Sequence, residues 1–125
     1  IYYSSMLSII ENIKSGVTTF CDMYYEMNRV GDAAIESGIR GVLTRGMTDV
    51  DKKGEEKLEE FDELYKNYHN KSDGRIKVVP APHAIYTCST EFLKEIAKRA
   101  KENYDGLIHI HLSETLTEVE NSKKE

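Results

Sequence analysis

His109, His111 and Glu114 have the types and spacing for hydrolytic chemistry. The two histidines stand two apart in an apolar stretch, 107–112. If that stretch is a strand, both point to one face, with His111 at its mouth and His109 one layer deeper. Glu114 follows three residues on, where a strand would give way to a loop. A neutral imidazole at a strand end can hold a metal. A carboxylate just beyond it can take a proton from an activated water and pass it to a leaving group. The same spacing also fits a hydrogen-bonded core histidine beside a surface glutamate, and H-x-x-E alone does not separate the two.

Other residues invite the same two-sided reading. His83 follows Ala81-Pro82, and the flanking prolines fix the backbone of a residue that must be aimed; a loop histidine without a role fits equally. Arg45 precedes Gly46 and offers a planar fork for a carboxylate or phosphate, or else a salt bridge at the rim of a fold. Lys57 opens toward the same loop from a charged run, Glu55–Glu60, that otherwise reads as a solvated helix face. Asp22 suits a site acid or a cap. Cys21 and Cys88 read as small buried apolar residues. His69 reads as a surface residue closing a charged helix.

The elements that would position these residues alternate. Tyr3, Met6, Leu7, Ile10 and Ile13 recur at helical spacing up to Gly16. The run 17–21 is β-branched and aromatic, as in a strand. Asn28 is placed to cap a second helix, with Val30, Ala33 and Ala34 inward and Gly38 at its end. A strand over 39–44 and a polar loop over 46–54 follow. Leu58, Phe61, Leu64, Tyr65 and Tyr68 then form a helical stripe. A third strand, 76–79, runs into Pro80 and Pro82. Ser89 or Thr90 caps a helix with Phe92, Leu93, Ile96, Ala97 and Ala100 inward. A fourth strand, 107–112, leads to a last helix from Thr115. This α/β alternation implies parallel strands joined by right-handed crossovers. A complete doubly wound sheet and a partial (β/α)₈ barrel both fit it. Either fold gathers its ligand residues at the C-terminal ends of the strands.

Composition narrows the partners. The chain has 125 residues and a formal net charge of -5, with no dense basic stretch, which argues against nucleic-acid binding. No apolar run has the length of a membrane span, so no membrane association is expected. Two distant cysteines suit a reduced, cytoplasmic setting. Ile1 begins within an apolar-periodic segment and Glu125 ends within a polar one, so a longer parent protein is expected.

Four motifs together resemble the amidohydrolases of the nucleoside-deaminase and chlorohydrolase group. Gly16-Val17-Thr18-Thr19-Phe20-Cys21-Asp22-Met23 resembles the second barrel strand of that family. Arg40-Gly41-Val42-Leu43-Thr44-Arg45-Gly46 resembles the third. Pro82-His83-Ala84-Ile85-Tyr86-Thr87-Cys88-Ser89 resembles the fourth strand and its loop. His109-Ile110-His111-Leu112-Ser113-Glu114-Thr115 resembles the fifth. The resemblance implies a partial TIM barrel over residues 1–125, spanning the second to fifth strands of a parent barrel. It also implies one divalent metal, zinc or iron, with His111 as a ligand and Glu114 as proton shuttle. His83, Arg45 and Lys57 match substrate-binding positions. The implied substrate is a small adenine-type nucleoside of the methylthioadenosine/S-adenosylhomocysteine class, which would be hydrolytically deaminated. Lys57 stands where the subgroup has a second arginine, Ala81 where glycine is usual and Ile85 where proline is usual. These departures leave room for another amidohydrolase, such as a guanine deaminase or a triazine or amidine hydrolase. A flavodoxin-like binding domain is the reading from a different class. The family's remaining ligands, the H-x-H pair of its first strand, the histidine of its sixth and the aspartate of its eighth, do not occur here. The chain alone is therefore expected to be inactive and not to hold the metal, and its open sheet edges are expected to pair two copies as a homodimer.

Overall fold

A computed structural model describes residues 1–124. Its elements run α1 (Tyr2–Lys14), β1 (Thr19–Tyr24), α2 (Met27–Ser37), β2 (Arg40–Met47), α3 (Gly54–Tyr68), α4 (Lys71–Gly74), β3 (Ile76–Val78), β4 (Ala81–Pro82), α5 (Thr90–Asn103) and α6 (Leu116–Ser122). The α4 segment is a single tight turn in which Ser72 and Asp73 adopt left-handed dihedrals.

Every strand pairing is parallel, and the order follows the sequence. β1 lies beside β2 from Thr19↔Arg40 to Tyr24↔Arg45. β2 then pairs with β3, Leu43 opposite Val78, and with β4, Gly46 opposite Ala81. The strand expected from Ile76 is thus present but interrupted. Pro80 has no N–H to give the ladder, yet β3 and β4 keep the same alignment on β2. No reversal of order occurs, as befits a barrel segment and not a doubly wound sheet.

The fourth expected strand is only partly realised. Over 107–112 the chain makes one parallel bridge, Ala84↔His111. Its ladder contacts are His109 N–H to the Pro80 carbonyl at 3.0 Å and His111 N–H to the His83 carbonyl at 2.9 Å. Its neighbour is broken by two prolines, and no further strand flanks it among the described residues, so a continuous ladder does not form.

One face of the sheet is closed by helices. Met27, Val30, Ala33 and Ala34 of α2, Leu58, Phe61 and Leu64 of α3, and Phe92 and Ile96 of α5 pack on Leu43, Met47, Ile76 and Val78. Gly31 lets α2 approach Leu43 and the Tyr68 ring closely. Four local expectations are corrected. The second helix starts at Met27, with Glu26 as its N-cap, so Asn28 lies inside the first turn; Glu26 takes a left-handed conformation that turns the chain out of β1. In α1 only Ile9 is buried, while Tyr3, Leu7, Ile10 and Ile13 are exposed, because α2 covers one flank of that helix alone. Cys21 is exposed, since among the described residues no helix covers the face of β1 that it shares with His109. His69 is not on the surface: its ring stacks on Tyr65 at 4.2 Å, and Val78 N–H donates to its Nδ1 at 3.2 Å. Gly38 does end α2, and Ser89 does cap α5 by accepting from Phe92 N–H.

Candidate functional site

The C-terminal ends of the strands bring His83, His109, His111 and Glu114 into one neighbourhood. Successive strand residues alternate faces. Leu43 and Met47 go to the helices, so Thr44 turns the other way, toward His109. The Thr44 hydroxyl donates to the Asp22 carbonyl at 2.7 Å, and its oxygen lies 3.3 Å from His109 Nδ1. With its one proton committed, that oxygen accepts from the His109 tautomer that carries its proton on Nδ1. Cys21 Sγ lies 3.4 Å from the same nitrogen. Burial, then the neighbouring His111, holds His109 below the usual imidazole range and so neutral. His109 is thus a half-buried histidine of the pair with its Nδ1 engaged by Thr44. Burial also pushes the Asp22 carboxyl and the Cys21 thiol up.

His111 meets His83 edge-on, with ring centroids 5.1 Å apart, and His109 at 5.9 Å. The His83 ring is fixed by Thr87, whose Oγ1 lies 2.9 Å from Nδ1. The Thr87 hydroxyl also reaches the Ala84 carbonyl at 3.2 Å; when it donates there, His83 Nδ1 bears the hydrogen and Nε2 is left as the acceptor. Tyr86, in the same loop, sits edge-on to His83 at 6.0 Å and donates its hydroxyl to Glu114 Oε2 at 2.7 Å. That bond to a carboxylate pushes the Tyr86 phenol up.

Glu118 is the participant that the sequence reading missed. It is 5% exposed, and its carboxylate accepts from the backbone N–H groups of Ser113 at 3.1 Å and Glu114 at 2.7 Å. The signal was there: Thr115-x-x-Glu118 has the form of a capping box, and Thr115 does cap α6 by accepting from Glu118 N–H.

Arg45 and Lys57 stand apart from the histidines. Arg45 is on the helix side with Leu43 and Met47. Its Nε donates to Glu60 at 2.7 Å, and its guanidinium lies 4.9 Å over the Tyr25 ring. Lys57 Nζ donates to the Thr48 carbonyl at 2.8 Å, to its Oγ1 at 2.7 Å and to both Asp51 oxygens at 2.8 Å. The Lys57 ammonium holds the Asp51 carboxyl below its usual range. Lys57 and Glu60, three apart on α3, share one face of that helix.

Among the described residues no three His, Cys, Asp or Glu side chains converge as a metal cage. His83 and His109 each engage a hydroxyl through Nδ1, whereas among the described residues no hydrogen bond engages the His111 ring. Its ring thus fits as one neutral nitrogen ligand of a site completed by other groups.

The model of the Amidohydrolase family matches residues 1–125. A 5-methylthioadenosine/S-adenosylhomocysteine deaminase of Thermoanaerobacter pseudethanolicus is 55% identical over 124 residues, 98% of this chain and 28% of its own length. A 5'-deoxyadenosine deaminase of Methanosphaera stadtmanae is 45% identical, covering 100% of this chain and 30% of its own length. In fold, an adenosine deaminase from Xanthomonas campestris solved with bound zinc superposes with a TM-score of 0.86 at 23% identity, over 99% of this chain and 28% of that one. The chain thus spans under a third of the length of these relatives.

Proposed function

Since the chain belongs to the amidohydrolase family, we propose that it is the second-to-fifth-strand portion of a longer barrel that hydrolytically deaminates an adenine-type nucleoside. The methylthioadenosine/S-adenosylhomocysteine class is the substrate best supported, because the relatives named for it share about half of this chain's residues. The carrying observation is Glu114, held by Tyr86 beside the strand end that bears His111 and His83.

A divalent ion, zinc or iron, bound with His111 as one ligand would acidify the attacking water. Glu114 then takes a proton from that water as it adds to the ring carbon and returns it to the departing amino group, which leaves as ammonia. His83, its Nδ1 fixed on Thr87, offers Nε2 to the substrate. Arg45 and Lys57 serve the substrate's far end by exchanging Glu60 and Asp51 for its polar groups. The unpaired thiols Cys21 and Cys88 support a reducing, cytoplasmic setting.

The test is Glu114→Gln in the full-length protein, with ammonia release and metal content measured together. Turnover is expected to fall by about 10²–10⁴-fold, since an amide cannot carry the proton, at unchanged metal content. His111→Ala is expected to lower metal content instead. Near-normal deamination by Glu114→Gln overturns the assignment.

A further inference from the structure

The most buried carboxylate among the described residues, Glu118, has no part in the chemistry above, and burying a charge costs heavily unless it is hydrogen-bonded. Its compensation comes from two backbone amides, those of Ser113 and Glu114. In an ordinary capping box the N3 glutamate returns to the N–H of the capping residue itself. Here the cap is Thr115, and Glu118 reaches past it to the two residues before. One of those residues, Ser113, has φ +57, a left-handed conformation that a residue with a Cβ adopts at a cost and keeps only when held. The other is Glu114. Tyr86 and Glu118 also line one shallow cleft with Ile85, Asn121 and Ser122. Glu114 is thus fixed twice: its carboxylate by Tyr86 across the mouth, its backbone by Glu118 from beneath.

We propose that Glu118 is a positioning residue for Glu114, its buried carboxylate clamping the Ser113 and Glu114 amides so that the Glu114 side chain stays at the strand end beside His111. The proposal rests on the reading of Glu114 as the proton carrier. α6 then serves as an anchor whose first turn fixes where that proton is exchanged. A side chain one helical turn from the reacting group sets the rate without touching substrate.

The experiment is Glu118→Gln, read in two ways. In the 125-residue chain, NMR follows the Ser113 and Glu114 amide protons. Loss of the carboxylate is expected to move both upfield and to speed their exchange by about tenfold or more, while the Glu118 amide, bound to Thr115, keeps its position. In the full-length protein, kcat is expected to fall by about 10- to 100-fold with KM and metal content unchanged, because the substrate still binds and the shuttle alone is misplaced. Unaltered Ser113 and Glu114 amides overturn the clamp. Altered amides with wild-type kcat overturn its role in positioning. If the unsubstituted full-length protein deaminates no adenine-type nucleoside, the functional reading fails, and the amide measurement still decides the clamp. Should Glu118→Gln not fold, Glu118→Asp replaces it in both readouts: it keeps the charge but is one methylene too short to span both amides.

Discussion

The Tyr86 hydroxyl and the Glu114 carboxylate, 28 residues apart in sequence, meet at 2.7 Å and join the loop after β4 to the loop before α6. The pair is solvent-accessible, so its bond sits at the weak end of those made to a charged acceptor. Tyr86→Phe in the full-length protein is therefore expected to lower kcat by about 3- to 10-fold, with KM little changed. Steady-state ammonia release measures both constants, and a wild-type kcat counts against the bond having a role.

Gly31 sits inside α2, where alanine ordinarily favours the helix by about 1 kcal/mol. A Cβ there would lie 2.6 Å from Tyr68 Cδ1 and 3.0 Å from Leu43 Cδ1. The Tyr68 ring cannot swing aside freely, because its hydroxyl is bound to Asp32 at 2.8 Å. Overpacking wins, and Gly31→Ala is expected to destabilise the fold by about 1–2 kcal/mol. Urea unfolding gives the value; a more stable variant would mean that α2 can retreat from β2.

Two tyrosines make the fold sensitive to alkali. Burial, then a hydrogen bond to Asp32, pushes Tyr68 up to about 12, and burial with a bond to Asp62 does the same for Tyr104. The folded chain therefore holds the neutral phenols where the unfolded chain, with ordinary values near 10, has lost their protons. Their contribution is intact below about pH 10 and is lost as the pH climbs toward about 12. Urea midpoints across that range should fall, and the fall should be shallower in Tyr68→Phe and Tyr104→Phe.

Apolar surface remains uncovered on this chain. Tyr3, Leu7 and Ile10 of α1 are exposed, as are Leu107, Leu112 and Leu116 around the last strand segment. Among the described residues β1 pairs only with β2, leaving its other edge open. The isolated chain is expected to self-associate, with a second copy covering these surfaces. Size-exclusion chromatography with light scattering at micromolar concentration checks it; a sharp monomer peak with cooperative unfolding refutes it.

The alternation of helices and strands was legible because each element carries its own period, as Leu58, Phe61 and Leu64 do in α3. The grouping of His83, His111 and Glu114 was legible because these residues fall where strands end, whereas Lys57 belongs to α3. What escaped the sequence depends on the third dimension. Cys21 has the composition of a core residue, but its strand face has no covering layer. Asn28 is a good cap by type, yet Glu26 starts the helix by adopting an unusual backbone angle. Glu118 looks like any helix-surface acid until the path of Ser113 brings two amides onto it. Arg45 and Thr44 are adjacent, and only the sheet's orientation decides that the second meets His109 while the first meets Glu60.

The two cysteines differ in a way that makes the chain its own reporter. Cys88 is buried, with its thiol on the Met47 carbonyl at 3.2 Å, while Cys21 is open beside His109. An alkylating reagent should therefore count one thiol in the folded chain and two in the unfolded chain. Its reaction at Cys21 is slow at neutral pH because the thiol is pushed up. Anything that settles over the histidine face, a ligand or a complementary stretch of protein, would register as protection of that single sulfur.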